Sequence, residues 1–196
     1  MARVRGVCVV LAVVLAASAG VFPVSAKEAT PSDFWSAAAD AATATVYAPS
    51  RKVLTRLGLY QDTPFGLTMF CAGEWNVDVN YTGDDVSQGQ PPPSIELYQS
   101  TKDCSPDAGI GDAPPNPSSV KVAGAKIVVT YNDCVGTAEG QAVPAEDACP
   151  LADRIFIAGG TLPAVGAKKA TFLEVTSRGL TRAQVAQVIR SLRPAG

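Results

Sequence analysis

The clearest pattern in the chain is an alternation of apolar and polar residues over positions 75–81. The apolar positions are Trp75, Val77, Val79 and Tyr81, and the polar ones are Asn76, Asp78 and Asn80. A period of two residues predicts a β-strand with one buried face and one solvated face, as strands of antiparallel sheets have.

Other short runs are rich in β-branched and aromatic residues, which predicts further strands. These runs are residues 43–47, 53–59, 94–100, 120–122, 126–131, 154–158 and 172–176. Gly124 predicts the turn of a hairpin between the runs at 120–122 and 126–131. Gly159 and Gly160 predict a turn that ends the run at 154–158.

Two amphipathic segments predict helices near the ends of the mature chain. Pro31 follows a capping Thr30 and precedes Asp33, which predicts a helix over residues 31–42. Towards the other end, Thr181 and Gln184 have the spacing of a capping box. The apolar stripe behind that cap consists of Val185, Val188, Ile189 and Leu192, and Pro194 ends the helix.

The order of these elements predicts the fold class. A helix, then a series of strands, then a closing helix indicates an α+β domain. We expect a single antiparallel sheet of about six or seven strands, with the N- and C-terminal helices packed on one face. The closing helix is too short to be stable alone, so its apolar stripe should lie on the sheet.

The first 26 residues have the organisation of a secretory signal peptide. Arg3 and Arg5 precede an apolar run at 7–15, and Val24-Ser25-Ala26 fits a cleavage site. We expect cleavage after Ala26, a single domain over residues 27–196, and no stable membrane insertion of the mature protein. Its location would then be extracytoplasmic or secreted, in the periplasm or cell envelope of a bacterium.

The charge of the mature chain argues against nucleic acid as a partner. Removing residues 1–26 removes two arginines and no acid, which changes the net charge from −2 to −4. Nucleic acids and anionic membranes both require a basic patch. Beyond residue 26 the only adjacent basic residues are the pairs 51–52 and 168–169.

Four cysteines remain after cleavage, an even number that predicts two disulfides in an exported chain. The cysteines are Cys71, Cys104, Cys134 and Cys149. Three pairings are open. If the strands at 75–81 and 94–100 form a hairpin with Tyr81 opposite Ser94, Cys71 lies opposite Cys104. That register predicts Cys71–Cys104 and, by elimination, Cys134–Cys149.

The closing segment, residues 172–192, resembles the end of small extracytoplasmic bacterial domains. These are the lipoprotein-sorting-like domains and the domains associated with anti-sigma regulators. The resemblance lies in a last strand followed by Leu180-Thr181 and a helix that ends in Ser191-Leu192. It implies an exported binding or sensing module, and it implies no catalytic residue.

Candidate chemistry is sparse. The chain contains no histidine, which excludes Ser/His and Cys/His nucleophiles. Ser118 and Lys121 have the spacing of a serine acylating motif, but that motif opens a helix whereas these residues begin a predicted strand. The cysteine spacing fits no zinc site, and the acid groups fit no calcium loop. We therefore expect no metal, cofactor or catalytic residue.

The sequence thus favours a non-enzymatic binding or sensing module. The ligand would lie on the sheet or beneath the closing helix, lined by Trp75, Val77, Tyr98 and Phe172. Its partner would be a small apolar ligand or a cell-envelope protein. Two alternatives stay open: an envelope-structural or inhibitor-like protein that uses the loop between Cys134 and Cys149, and a hydrolase that uses carboxylates alone.

Overall fold

The chain forms an α+β fold in the computed structural model, which describes residues 31–61, 76–84, 91–101 and 117–195. Its helices are α1 (Pro31–Ala41), α2 (Arg51–Arg56) and α3 (Arg182–Arg190). Its strands are β1 (Tyr47–Ala48), β2 (Leu59–Gln61), β3 (Asn76–Gly83), β4 (Ser94–Ser100), β5 (Ser118–Val122), β6 (Ala125–Cys134), β7 (Arg154–Leu162), β8 (Thr171–Arg178) and β9 (Arg193–Pro194).

Seven of the strands make one antiparallel sheet, as predicted. Their order across the sheet is β2-β3-β4-β8-β7-β6-β5, and every pair in it is antiparallel. The two-residue strands β1 and β9 form a separate pair. The closing strand β8 therefore lies at the centre of the sheet, between β4 and β7.

One face of the sheet is buried beneath the helices. Its inward side chains are almost all apolar and less than about a tenth exposed, and they include Val77, Val79, Leu97, Val175, Phe156, Ile127 and Val129. The α3 stripe lies on this face, with Val185, Val188 and Ile189 fully buried. Because α1 joins the same face through a hydrogen bond from Trp35 Nε1 to the Tyr81 hydroxyl, 3.1 Å long, both helices cover one side, as predicted.

The opposite side of the sheet, here called the open face, alternates with the buried one along each strand. No helix of the described residues packs on it. Its side chains come from β3 to β8 and include Asp78, Asn80, Ser94, Glu96, Tyr98, Lys121, Lys126, Val128, Thr130, Asp133, Ile155, Ile157, Phe172, Glu174, Thr176 and Arg178. Most of them are half-buried or exposed.

Both predicted helix starts agree with the structure. The Thr181 hydroxyl accepts from the Gln184 amide at 3.2 Å, and Gln184 Oε1 accepts from the Thr181 amide at 2.7 Å. This is the reciprocal capping box that the sequence predicts. At the end of α1, Lys168 Nζ donates to the carbonyls of Ala39 and Ala42, which have no partner further along the helix.

An extended segment at residues 43–48, here called the strap, runs along the helix-covered face. Only its last two residues form a strand, where the sequence predicts one over 43–47. The Gln99 side chain, fully buried, accepts from the Tyr47 amide and donates to the Tyr47 carbonyl, each at 2.8 Å. Thr45 bonds the Lys169 backbone and the Thr171 hydroxyl. Side chains and neighbouring backbone groups thus share the hydrogen bonding of the strap.

Three predicted details are wrong. Residues 53–59 are not a strand, because Arg51–Arg56 is helical and Leu59 begins β2. Gly159 and Gly160 do not end a strand, because β7 continues through them to Leu162. In the hairpin of β3 and β4, Tyr81 faces Ile95 rather than Ser94, a shift of one residue.

That shift removes the register argument for pairing Cys71 with Cys104. Both cysteines lie outside the described residues. The other predicted pair is present, with Cys134 Sγ and Cys149 Sγ 2.10 Å apart. A bulge in β6 between Tyr131 and Asp133 makes this pair possible, because it turns Cys134 from the open face to the buried one.

Candidate functional site

The open face contains a cleft of about 440 Å³. It is lined by Asp78, Asn80, Ser94, Glu96, Ile155, Thr176, Ser177 and Arg178. These residues belong to four neighbouring strands, so the sheet itself fixes their spacing. All but Ile155 are polar or charged residues, so the cleft offers hydrogen-bonding groups to a ligand.

Two carboxyl groups meet in this cleft. Asn80 faces Glu96 across the ladder of β3 and β4, so Asp78 is the diagonal neighbour of Glu96 on the same face. Glu96 raises the pKa of Asp78 by side-chain hydrogen bonding and by its negative charge. Both effects favour the protonated carboxyl group of Asp78 over the carboxylate.

The surroundings of Asp78 favour its protonated form. Burial raises the pKa of Asp78 most, and together with the two effects of Glu96 it brings the pKa to about 7. Asp78 Oδ1 is buried and has no hydrogen-bond partner among the described residues, which makes ionisation costly. Near neutral pH the Asp78 carboxyl group therefore exists in both its protonated and its ionised form.

Arg178 forms one rim of the cleft but its charge is already engaged. Arg178 Nη2 lies 3.6 Å from Asp153 Oδ1, and Nε donates to the Ala152 carbonyl at 3.4 Å. The remaining charges on this part of the open face are Asp78, Glu96 and Glu174. The field of the cleft is therefore negative, and it attracts cationic groups.

The structure does not bring the four predicted lining residues together. Trp75 lies outside the described residues. Val77 is 1 % exposed on the buried face, so it belongs to the core. Tyr98 and Phe172 both lie on the open face, on adjacent strands, because Tyr98 faces Glu174 and Ser100 faces Phe172.

Tyr98 lies beside the acidic part of the open face. Burial raises the pKa of its hydroxyl, a hydrogen bond with Ser100 lowers it, and the charges of Glu174 and Asp78 raise it. The phenol is therefore neutral and polar at physiological pH. It is 8 % exposed, so it supports the sheet next to the cleft more than it lines it.

The space beneath the closing helix is filled by side chains rather than open to a ligand. Val185, Val188 and Ile189 are fully buried, and Leu192 is 1 % exposed. This packing leaves the apolar stripe of α3 in contact with the core cluster along its whole length. Of the two locations that the sequence suggests, the sheet is thus the one with a cleft.

The loop between Cys134 and Cys149 is the second feature that the sequence singles out. Arg182 anchors it, with Nη2 2.6 Å and Nε 3.1 Å from Glu146 Oε2. The same guanidinium donates to the Val129 carbonyl at 3.2 Å and lies 5.5 Å from the centre of the Phe156 ring. The loop is therefore pinned to the start of α3 and to the sheet.

The acylating motif that the spacing of Ser118 and Lys121 suggests is not formed. Both residues lie on β5, where Ser118 points to the buried side and Lys121 to the open face. The serine hydroxyl donates to the Val129 carbonyl at 3.4 Å. A lysine on the other side of the sheet cannot act as its base.

Sequence reasoning missed Asp78 and Glu96 as a pair. Each occupies a polar position in an alternating strand, as many solvated acids do. The acid groups that were considered for a calcium loop lie at other positions in the sequence. Only the pairing of β3 with β4 shows that these two acids are neighbours. Within the described ranges no cluster of three or more potential metal ligands occurs, and no helix there is long and apolar enough to cross a membrane.

No family model matches the chain, and neither a curated protein nor a solved structure matches it. Function is therefore inferred from the geometry and chemistry of the site itself.

Proposed function

We propose that this chain is an exported, non-enzymatic binding module that holds a partner on the open face of its sheet. The observation that carries this proposal is the asymmetry of the sheet. One face is buried under the described helices, whereas the other presents exposed charged side chains around an acidic, polar cleft. A surface of this kind recognises cationic groups of a partner.

Export is supported by two features. Residues 1–26 have the pattern of a signal peptide. The Cys134–Cys149 disulfide is typical of proteins that fold outside the cytosol. The resemblance of residues 172–192 to lipoprotein-sorting-like and anti-sigma-associated domains implies the same bacterial, extracytoplasmic setting. The carboxyl groups of Asp78 and Glu96 in the cleft favour a cell-envelope protein with cationic groups over a small apolar ligand as the partner.

The proposal is tested by calorimetric titration of the exported protein with oligolysine at low salt. We expect binding that the double variant D78N/E96Q weakens by about tenfold or more, because it removes the charge of the cleft. The matched control is E139Q/D147N, which removes two acids from the exposed disulfide loop. Equal effects of the two double variants, or an absence of binding to the wild type, would contradict the proposal.

The pair of Asp78 and Glu96 also supports a second candidate, a hydrolase that works with carboxylates alone. Two neighbouring carboxyl groups, of which one keeps its proton up to about neutral pH, can act as general acid and general base. Cleavage of a fluorogenic peptide library by the wild type at mildly acidic pH, lost in D78N, would favour this candidate over the binding module.

A further inference from the structure

Basic side chains come together where α2 meets the end of α3. The two helices are in contact, and the Ser50 amide donates to the Ser191 hydroxyl at 3.0 Å, although these residues are 141 positions apart in the sequence. Beside this contact β1 pairs with β9, with Ala48 opposite Arg193. The basic residues that this junction collects, here called the basic patch, are Arg51, Lys52, Arg56, Arg190 and Arg193.

The side chains of the basic patch face the solvent. All five are exposed. The three on α2 share one arc of the helix, because the opposite arc contains the buried Leu54 and the half-buried Val53 and Leu57, which pack against the core. The patch is therefore a convex, accessible surface to which each element adds cations.

No acid of the described residues forms an ion pair with the basic patch, whereas two other arginines do pair with acids. Arg193 Nη1 donates to the carbonyls of Arg190 and Leu192, at 2.9 and 2.6 Å, but these neutral groups leave its charge unbalanced. Positive charge at the start of a helix is unfavourable, so Arg51 and Lys52 do not stabilise α2. Stability of the fold thus does not account for the patch.

The basic patch contrasts with the charge of the mature chain, which is −4. The sequence shows only the adjacent pair at 51–52, because folding alone places Arg190 and Arg193 beside it. An acidic protein is repelled by an anionic surface unless a basic region is directed towards that surface. The patch therefore supplies one orientation in which this chain is attracted to an anionic surface.

We propose that the basic patch docks the protein on an anionic phospholipid bilayer, by charge attraction and without insertion. The phosphate groups of a bilayer are spread over an area, as are the cations of the patch, which come from two helices and β9. Each basic residue near such a surface strengthens binding by roughly fivefold. The proposed export would bring the patch to the outer side of the cell membrane.

This docking surface is separate from the cleft, so the inference goes beyond the proposed function. The cleft lies on the open face, whereas α3, which ends at the basic patch, covers the opposite face of the sheet. A bilayer beneath the patch therefore leaves the open face accessible to its partner.

The test is co-sedimentation of the exported protein with vesicles of equal parts phosphatidylglycerol and phosphatidylcholine at low salt. We expect binding that R51Q/K52Q weakens by roughly 25-fold and R190Q by roughly fivefold. The matched control is K121Q/K126Q, which removes the same charge from two exposed lysines of β5 and β6 and should bind within about twofold of the wild type. Salt at about 0.5 M should release the protein, because it screens the attraction.

Several outcomes would overturn the proposal. They are an absence of binding to the anionic vesicles, equal binding to vesicles of phosphatidylcholine alone, and equal losses in R51Q/K52Q and K121Q/K126Q. Release by inorganic phosphate at constant ionic strength would also overturn it, since the patch would then be a site for a single phosphate group. Far-ultraviolet circular dichroism of each variant excludes unfolding as the cause of a loss.

The cleft variant D78N/E96Q separates this inference from the proposed function. It should bind the anionic vesicles at least as well as the wild type, because it removes no positive charge. If oligolysine fails to bind the wild type while the vesicles bind, only the proposed function is wrong. If the vesicles fail and oligolysine binds, only the docking surface is wrong.

Discussion

At the scale of single residues, Gln99 shows how a buried polar side chain can determine the path of the backbone. Its amide supplies the donor and the acceptor that a neighbouring strand would offer to Tyr47. The Tyr47 hydroxyl in turn donates to the Pro163 carbonyl at 2.8 Å. Through these bonds one glutamine on the central part of the sheet positions the strap.

Replacing this amide should therefore be costly. In Gln99→Leu the amide and carbonyl of Tyr47 stay buried without partners, and each such group costs about 1–3 kcal/mol. We expect the free energy of unfolding to fall by about 2–4 kcal/mol, measured by urea denaturation. The matched control, Gln141→Leu, changes an exposed glutamine and should leave the stability within about 0.5 kcal/mol of the wild type. A similar loss in both variants would contradict this role.

Local residue roles were predictable from the sequence where both partners are close in the chain. Thr181 and Gln184 are three residues apart, so their spacing alone predicts the capping box. Gln99 and Tyr47 are 52 residues apart, and nothing local marks Gln99 as a buried amide. Asp78 and Glu96 were missed for the same reason, because only the ladder between their strands brings them together.

At the scale of elements, the alternating strands were predicted well and the ambiguous segments were not. The strand at 94–100 has its predicted bounds, because β-branched and apolar residues at alternate positions leave few other folds. The short helix α2 was mistaken for a strand. Six residues carry too little periodicity to distinguish the two, and the packing of the buried Leu54 decides the outcome.

The glycines of β7 were mistaken for a turn because glycine has two roles in strands. At Gly160 a Cβ atom would lie 2.9 Å from Ile127 Cδ1 and 3.0 Å from the Lys126 carbonyl oxygen. At Gly159 the nearest atom, the Leu173 carbonyl oxygen, would be at 3.5 Å, an ordinary contact. Gly160 therefore allows β7 to approach β6 closely, while Gly159 has no such constraint.

These two glycines provide a matched pair of variants. We expect Gly160→Ala to lower the free energy of unfolding by about 1–3 kcal/mol, since the methyl group forces β6 and β7 apart. Gly159→Ala should change it by less than about 1 kcal/mol, because the methyl group fits. Chemical denaturation of both variants measures the difference. Equal losses would show that the close approach of the strands does not require Gly160.

At the scale of the whole molecule, the sheet is a boundary between two environments. The helices and the strap lie on one side, and the charged residues around the cleft lie on the other. The α+β class and the shared side of the helices were predictable, because the helical stripes needed an apolar surface. The order of the strands was not, because β8 joins β4 through residues that are far apart in the sequence.

The protonation of Asp78 should appear in the stability of the whole fold. Its pKa of about 7 lies above the value of an unfolded aspartate, so the folded protein binds an additional proton between the two. The contribution of Asp78 to stability is therefore fully present in acid and is lost as the pH rises towards about 7. We expect the wild type to lose stability relative to D78N between about pH 4 and pH 7, measured by urea denaturation.

The control for this prediction is Asp147→Asn, which changes an exposed acid of the disulfide loop. Its stability should follow that of the wild type across the same pH range. Parallel curves for D78N and the wild type would show that Asp78 ionises in the folded protein as it does in the unfolded chain.

Under the proposed export, the strap has a consequence for the order in which the protein folds. Its hydrogen-bond partners are Gln99, Lys169, Thr171 and, through an amide 2.8 Å from the Val46 carbonyl, Ala195. A polypeptide that leaves a translocation channel with its amino end first presents residues 43–48 long before Ala195 arrives. The hydrogen bond between Val46 and Ala195 can therefore form only when translocation is nearly complete.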